Sequence, residues 1–426
     1  METKNLLILG ALEEFVPLAA LAEKKGIRPC VIDGNPGAPA KLEALKRGGA
    51  AYDIDVRDTE KIVRVIKEEN ITAITTAYSD LLLECMVRIA HAAGLPCHLV
   101  PSQLPWYRDK NVTNRTLEEL GIGTPKSVHL QKDFPDSALA GLSFPMVIKP
   151  VDMYGSRGLI IVNSPEDIRA HFDSCCSTSE NKTVLAEEYN PDHEFNIQAF
   201  VRNGTVRILG LADREKTFHD PKEIPLSTRN IYPSRLIRFV YDDALSALAR
   251  YIKKTGQTEG PLAMQFFWGP ERGFMCGEIA ARFLGYEHEL IEYSDGVSIE
   301  ELLLDAAFDE SALDAALGKC NPFGNRVSAV LYFHGRDGII ADENAALAIC
   351  RRNDVKYGRV FYKTGERIGS PQRMPYVARY YIVAGTRKEI DTLTEDILKN
   401  ISVKDRDGRE LLYPNEPGHY EDAEGI

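Results

Sequence analysis

Several absences narrow the reading of this 426-residue chain before any motif does. No stretch approaches the 18 apolar residues that a helical membrane span needs. The eight cysteines form no CxxC pair, and the adjacent Cys175-Cys176 is a poor zinc or disulfide framework. They read as reduced thiols of a cytosolic protein. Positive charge is in deficit: the net charge is −12 and the pI near 5.4, against any role in binding nucleic-acid backbones. Only Gly10 stands where a dinucleotide fold would carry GxGxxG, and there is no GxxxxGK[ST] phosphate loop. No Ser-His-Asp or Cys-His signature, internal repeat or low-complexity block is present. Glu2, a short apolar run and then Glu13-Glu14 do not make a signal peptide.

What is present is concentrated at 147–158, VIKPVDMYGSRG. An apolar β-type run delivers Lys149 into a Pro-stopped turn, and a second β-type run begins at 159. Between them Gly155, Ser156, Arg157 and Gly158 form a loop whose backbone N–H groups can approach an oxyanion, with nearby cations balancing its charge. This order predicts a nucleotide phosphate clamped beneath a hairpin; an ordinary hairpin turn is the alternative. Downstream, Glu187 and Glu188 end a β-type run and Glu194 opens the next strand. Two acids seven residues apart across a turn suit the two ends of a nucleoside. Glu187 and Glu188, with backbone groups through Asn190, would read adenine, and Glu194 would accept from ribose hydroxyls. Residues 262–268 and 274–282 read as paired strands that place Gln265 and Glu278 in one buried site. A buried carboxylate needs a partner. A hard cation on ATP phosphates, Mg2+ or Mn2+, is one candidate, and an ion pair with Arg282 is the other.

Taken in order, these pieces resemble the ATP-grasp superfamily of ligases, whose members activate a carboxylate as an acyl phosphate and pass the acyl group to an amine. Asp109-Lys110 resembles the opening of the family's ATP region, with Lys110 as its first phosphate-binding lysine, and GIGTPKS (121–127) its entry into the next strand. The resemblance implies that Lys149 is the second such lysine and that residues 155–158 are the phosphate lid. It implies Glu187 and Glu194 as the adenine-hinge and ribose acids. Glu278 and Arg282 fall on the outer positions of the E-x-N-x-R signature, implying a metal ligand and a stabiliser of the transferred phosphoryl group. The match departs at Ala280, where Asn is usual, and at Gln265, where many members have an acid. Both changes bear on the second metal position.

The expected fold class is α/β and α+β: an N-terminal doubly wound parallel sheet (1–105), a central ATP-grasp two-subdomain α+β fold (106–310, lid about 125–190) and a C-terminal β-rich domain (311–426). Strands are predicted at 6–9, 29–33, 73–77 and 96–100, with helices at 15–25, 59–69 and 81–93. Asp80, after the third strand, is a helix cap or a substrate residue. Residues 207–235 read as a strand running into a long basic loop. By its position the loop resembles the substrate loop of amino-acid ligases, with Lys216 and Arg235 the preferred substrate-binding cations. His288 reads as a surface pair or cap beside Glu287 and Glu289. The resemblance implies an ADP-forming ligase for amino-acid-type substrates, with a homodimer the expected assembly. A bicarbonate-using enzyme like carbamoyl phosphate synthetase or biotin carboxylase is the alternative, although no Met-Lys-Met biotinyl site is present. A nucleotide-binding module with weakened turnover is the third, favoured by Ala280.

Overall fold

A computed structural model describes residues 4–150, 160–177, 182–217, 225–369 and 376–418. The N-terminal unit alternates β1 (Asn5–Leu9), α1 (Val16–Lys24), β2 (Arg28–Ile32), α2 (Pro39–Lys46), β3 (Ala50–Tyr52), α3 (Thr59–Glu68), β4 (Ala73–Thr75) and α4 (Asp80–Ala93). Its strands pair in parallel in the order β3-β2-β1-β4. The period of two along β1 makes the sheet doubly wound. Leu7 and Leu9 pack with Ile62 and Leu83 of α3 and α4, while Leu6 and Ile8 pack with Leu18 and Ala44 of α1 and α2.

The expected parallel sheet is therefore there, but the strand at 96–100 is not. Prolines at 96 and 101 bracket that segment, and it serves as a docking strap instead. The His98 ring lies against Gly260, where any Cβ would clash with it at 2.5 Å, and its Nε2 is 3.0 Å from the Ala281 carbonyl.

After α5 (Pro105–Arg108) and α6 (Lys110–Glu119) the chain builds a small antiparallel unit. It contains β5 (Ser127–Leu130), β6 (Met146–Pro150), β7 (Ile160–Val162), α7 (Pro165–Cys175) and β8 (Val184–Glu188), with strand order β5-β8-β6-β7. Leu130, Met146, Ile148, Ile168, Phe172 and Val184 give it a core of its own.

The rest is organised by one eight-stranded antiparallel sheet. Its first strands are β9 (His193–Arg202), β10 (Thr205–Thr217) and β11 (Leu226–Tyr232), then α8 (Ile237–Thr255), β12 (Gly260–Gly269) and β13 (Gly273–Ala280). Three helices follow: α9 (Glu289–Asp295), α10 (Ile299–Phe308) and α11 (Glu310–Lys319). Then come β14 (Val327–His334), β15 (Gly338–Ile339), α12 (Asn344–Ile349), β16 (Val355–Val360), β17 (Arg367–Ile368), β18 (Tyr376–Ala384) and α13 (Arg387–Asn400). The order is β13-β12-β9-β10-β11-β14-β18-β16, with β15 and β17 paired apart. Arg229 of β11 lies opposite Leu331 of β14, so the sheet is continuous across the boundary expected near 310.

The long basic loop expected at 207–235 is mostly strand. Its charges are satisfied inside the sheet: Glu215 and Arg229 are cross-strand partners, both nearly inaccessible to solvent. Asp391 and Thr394 of α13 bond Arg229 at 2.6 and 2.9 Å, and Arg387 reaches Asp213 and Glu215 at 2.6 and 2.7 Å. Among the described residues no helix is long and apolar enough to cross a membrane.

Candidate active site

Three separate elements bring charge to one place. Asp109 caps α6, accepting from the N–H groups of Asn111 (2.9 Å) and Val112 (3.3 Å), which fixes Lys110 as the first helical residue. A cation there opposes the helix dipole, at a cost of about 0.3–1 kcal/mol. From the small unit, Lys149 of β6 points to Glu187 of β8, with Nζ 3.2 and 3.1 Å from the two carboxylate oxygens. From the large sheet, β12 and β13 set Gln265 directly opposite Glu278.

Lys110 registers all of these groups. Although Lys110 is an exposed residue, its ammonium is lowered to about 8, first by desolvation among the neighbouring elements and then by the Lys149 charge, against the opposite pull of Glu187 and Glu278. Two ammonium groups face each other here with only carboxylates between the elements to compensate. A polyphosphate would relieve that repulsion and use both cations.

Glu278 corrects one expectation: it is exposed, not buried. It sits on β13, an edge strand of the large sheet, on the same face as its cross-strand partner Gln265. Among the described residues no group of three or more His, Cys, Asp or Glu side chains is placed to hold a metal. The Glu278 carboxylate and Gln265 amide are hard oxygen donors. They fit a cation that takes its remaining ligands from phosphate and water. The small Ala280 side chain adds no donor.

Gly155, Ser156, Arg157 and Gly158 lie outside the described residues. Glu188 accepts from the Ser143 N–H at 2.8 Å, tying the end of β8 to the loop before β6. Asn190 accepts from the Asp192 N–H at 2.9 Å and shapes the turn into β9. Glu194 is buried and held by Arg214 and Lys216 of β10. Burial pushes the Lys216 ammonium down to about 8 even with that carboxylate beside it. Arg235 is exposed, and its N–H donates to Asp213 at 3.0 Å.

Arg282 follows β13 and meets Asp80, the first residue of α4, through two parallel bonds of 2.7 and 2.8 Å. Asp80 thus holds a guanidinium in a fixed fork at the C-terminal end of the parallel sheet. The turn beyond Arg282 is not at the surface. Glu287 is buried and accepts from Asn196 and Asn230 at 2.8 Å each and from Tyr232 at 3.3 Å. Burial raises its carboxyl to about 7 despite those bonds and the Arg214 charge. His288, expected as a surface pair, is also buried. Tyr78 stacks on it at 4.4 Å and Glu300 pairs with its Nδ1 at 2.8 Å, because α9 starts where the N-terminal unit packs down.

Residues 142–287 match the ATP-grasp domain family. Over those residues the chain carries an ATP-grasp domain. The match runs from just before β6 to just past Arg282, the stretch that supplies Lys149, Glu187, Gln265 and Glu278. A formate-dependent phosphoribosylglycinamide formyltransferase from Prochlorococcus marinus is 27% identical over 202 residues, covering 46% of this chain and 50% of the relative. One from Bacillus subtilis is 24% identical, covering 45% and 49%. The chain therefore spans about half the length of the curated relatives it matches. The L-amino acid ligase of Bacillus licheniformis has the same fold at a TM-score of 0.77 and 18% identity, over 95% of this chain and 100% of that one. The biotin carboxylase domain of the Hydrogenobacter thermophilus 2-oxoglutarate carboxylase aligns at 0.73 and 16% identity, over 95% and 91%.

Proposed function

We propose that this protein is an ADP-forming carboxylate–amine ligase that uses ATP with Mg2+ or Mn2+ on amino-acid-type substrates. The convergence of Lys110, Lys149, Glu187 and Glu278 from three elements carries the reading, since it suits a nucleotide polyphosphate better than any neutral ligand. Support comes from the names of the similar proteins, one dependent on formate, a carboxylate, and one a ligase of amino acids. Leu12, Leu42 and Leu45, exposed on the N-terminal unit, fit a homodimer formed through it. A cytoplasmic enzyme is consistent with eight free cysteines.

On this reading Lys110 and Lys149 bind the phosphates, and Glu278 with Gln265 would hold the cation. A bound divalent cation supplies charge neutralisation on the phosphate oxygens. A substrate carboxylate oxygen attacks the γ-phosphorus, the bond to the bridging β-phosphate oxygen breaks, and ADP leaves with that electron pair. Arg282, fixed by Asp80, balances the charge on the phosphoryl group in flight. The amine nitrogen then attacks the acyl carbon, the carbon–oxygen bond to phosphate breaks, and the surplus amine proton passes to solvent. The protein contributes position and charge rather than a nucleophile.

The test is ADP release from Mg-ATP with pooled L-amino acids, product masses being read in parallel. Pool-dependent ADP with an amide-bond mass, absent in Lys149→Ala and Glu278→Ala, is the expected result. Tight Mg-ATP binding without ADP from any carboxylate in the pool would argue for a binding module instead.

A further inference from the structure

Four residues past Arg282 the chain holds an unusual arrangement that phosphate binding does not use. Tyr286 sits at φ +60° and Tyr78, against the same turn, at φ +64°, a region that bulky residues rarely adopt and that costs about 1–3 kcal/mol each. Tyr286 is pinned there from both sides. Its N–H donates to Glu14 at 2.6 Å, and its carbonyl accepts from the hydroxyls of Tyr332 and Tyr381 at 3.0 Å each. Over its ring, 4.6 Å from the centroid, lies the guanidinium of Arg379 from β18.

Arg379 is only 4% exposed, yet its Nε and one terminal nitrogen have no hydrogen-bond partner. Glu289, whose charge acts on Arg379, leaves its own Oε2 buried and equally unpartnered. The rings of Tyr286, Phe361 and Tyr381 cover the guanidinium at 4.6, 5.7 and 5.3 Å, but buried N–H groups left without an acceptor remain costly. Glu289 pairs with His288 through Oε1 at 3.4 Å, but its free Oε2 and the free N–H groups of Arg379 match a ligand bearing one charge of each sign. Four residues span at most about 14 Å, the reach of a small substrate.

We infer that Arg379 and Glu289 mark the subsite for the acceptor: a free α-amino acid whose carboxylate meets Arg379 and whose amino group meets Glu289 Oε2. The inference rests on the ligase reading for the word acceptor, but the binding itself does not. Arg379 and Glu289 act here as positioning residues for that substrate.

The experiment is calorimetric titration of the full chain with each of the twenty L-amino acids, then with the C-terminal amide of every one that binds. Binding of at least one free acid is expected, weakened about 10- to 100-fold by amidation, as for loss of a charge-assisted hydrogen bond. Arg379→Gln should weaken the free acid by a similar factor and leave the amide unchanged. Glu289→Gln should weaken both. No binding by any of the twenty, or equal binding of acid and amide to the wild-type chain, overturns the subsite. The amide arm needs no variant, so it decides the matter even if Arg379→Gln fails to fold. Discrimination without ADP formation keeps the subsite and rejects the ligase, whereas ADP formation without discrimination does the reverse.

Discussion

Two charged clusters of this molecule look alike in sequence and behave oppositely in space. In one, Asp213, Glu215, Arg229, Arg387 and Asp391 neutralise each other across β10, β11 and α13. In the other, Lys110 and Lys149 repel each other beside Glu187 and Glu278 at the meeting of α6, the small unit and the edge of the large sheet. The first is complete without any ligand. The second pairs Lys149 with Glu187 but sets Lys110 against Lys149, a conflict that a bound anion would relieve. Charge satisfied internally marks architecture, and charge left in conflict marks a binding site.

The sharpest way to break this comparison is to truncate one cation in each cluster. Arg229→Met takes the cross-strand guanidinium from buried Glu215, leaving it paired with Arg387, and should cost about 1.5–3 kcal/mol of stability, read by denaturant unfolding, while the folded fraction still binds Mg-ATP. Lys149→Ala should do the converse: Mg-ATP affinity falls about 10- to 100-fold, with the unfolding midpoint nearly unchanged. If both variants lose stability alike, the distinction fails.

A smaller effect lies in pH. Lys110 holds its proton to about 10.4 when unfolded but only to about 8 when folded. Between these values the unfolded chain binds more protons, so stability of the ligand-free protein should rise with pH across that window. Mg-ATP favours the charged ammonium, so its affinity should fall as pH passes 8, by at most about tenfold per unit. Titration at pH 8.5 in buffers of different ionisation heat should show proton uptake on binding, lost in Lys110→Arg.

The smallest expected effect is at Ala280. Ala280→Asn adds an oxygen donor beside Glu278 and should tighten Mn2+ binding in the presence of ATP a few-fold, worth about one hydrogen bond, measured by electron paramagnetic resonance. A large rise in turnover as well would indicate a decayed site, and none an adapted one.

Much of this was legible in the sequence because it depends on local pattern. The continuous apolar run of β1, the Asp109-Lys110 helix start and the Gln265–Glu278 register all follow from local sequence along one or two elements. What escaped was set by distant partners. Arg229 reads as a loop cation until Glu215 is seen opposite it, and His288 reads as surface until Tyr78 and Glu300 arrive from far along the chain. Arg379 left one signal, a lone arginine within the apolar strand PYVARYYIVAG. Its meaning depends on Tyr286 lying beneath it.

The small unit between β5 and β8 has a private core, whereas the large sheet runs unbroken from β13 to β16. Elements with separate cores open as separate cooperative units. Amide hydrogens of β5, β6 and β8 should therefore exchange at their own, lower free energy, and Mg-ATP, if the proposed site holds it between Lys149 and Glu278, should slow them most. The nucleotide would act as the latch of a hinged jaw whose lower half does not move.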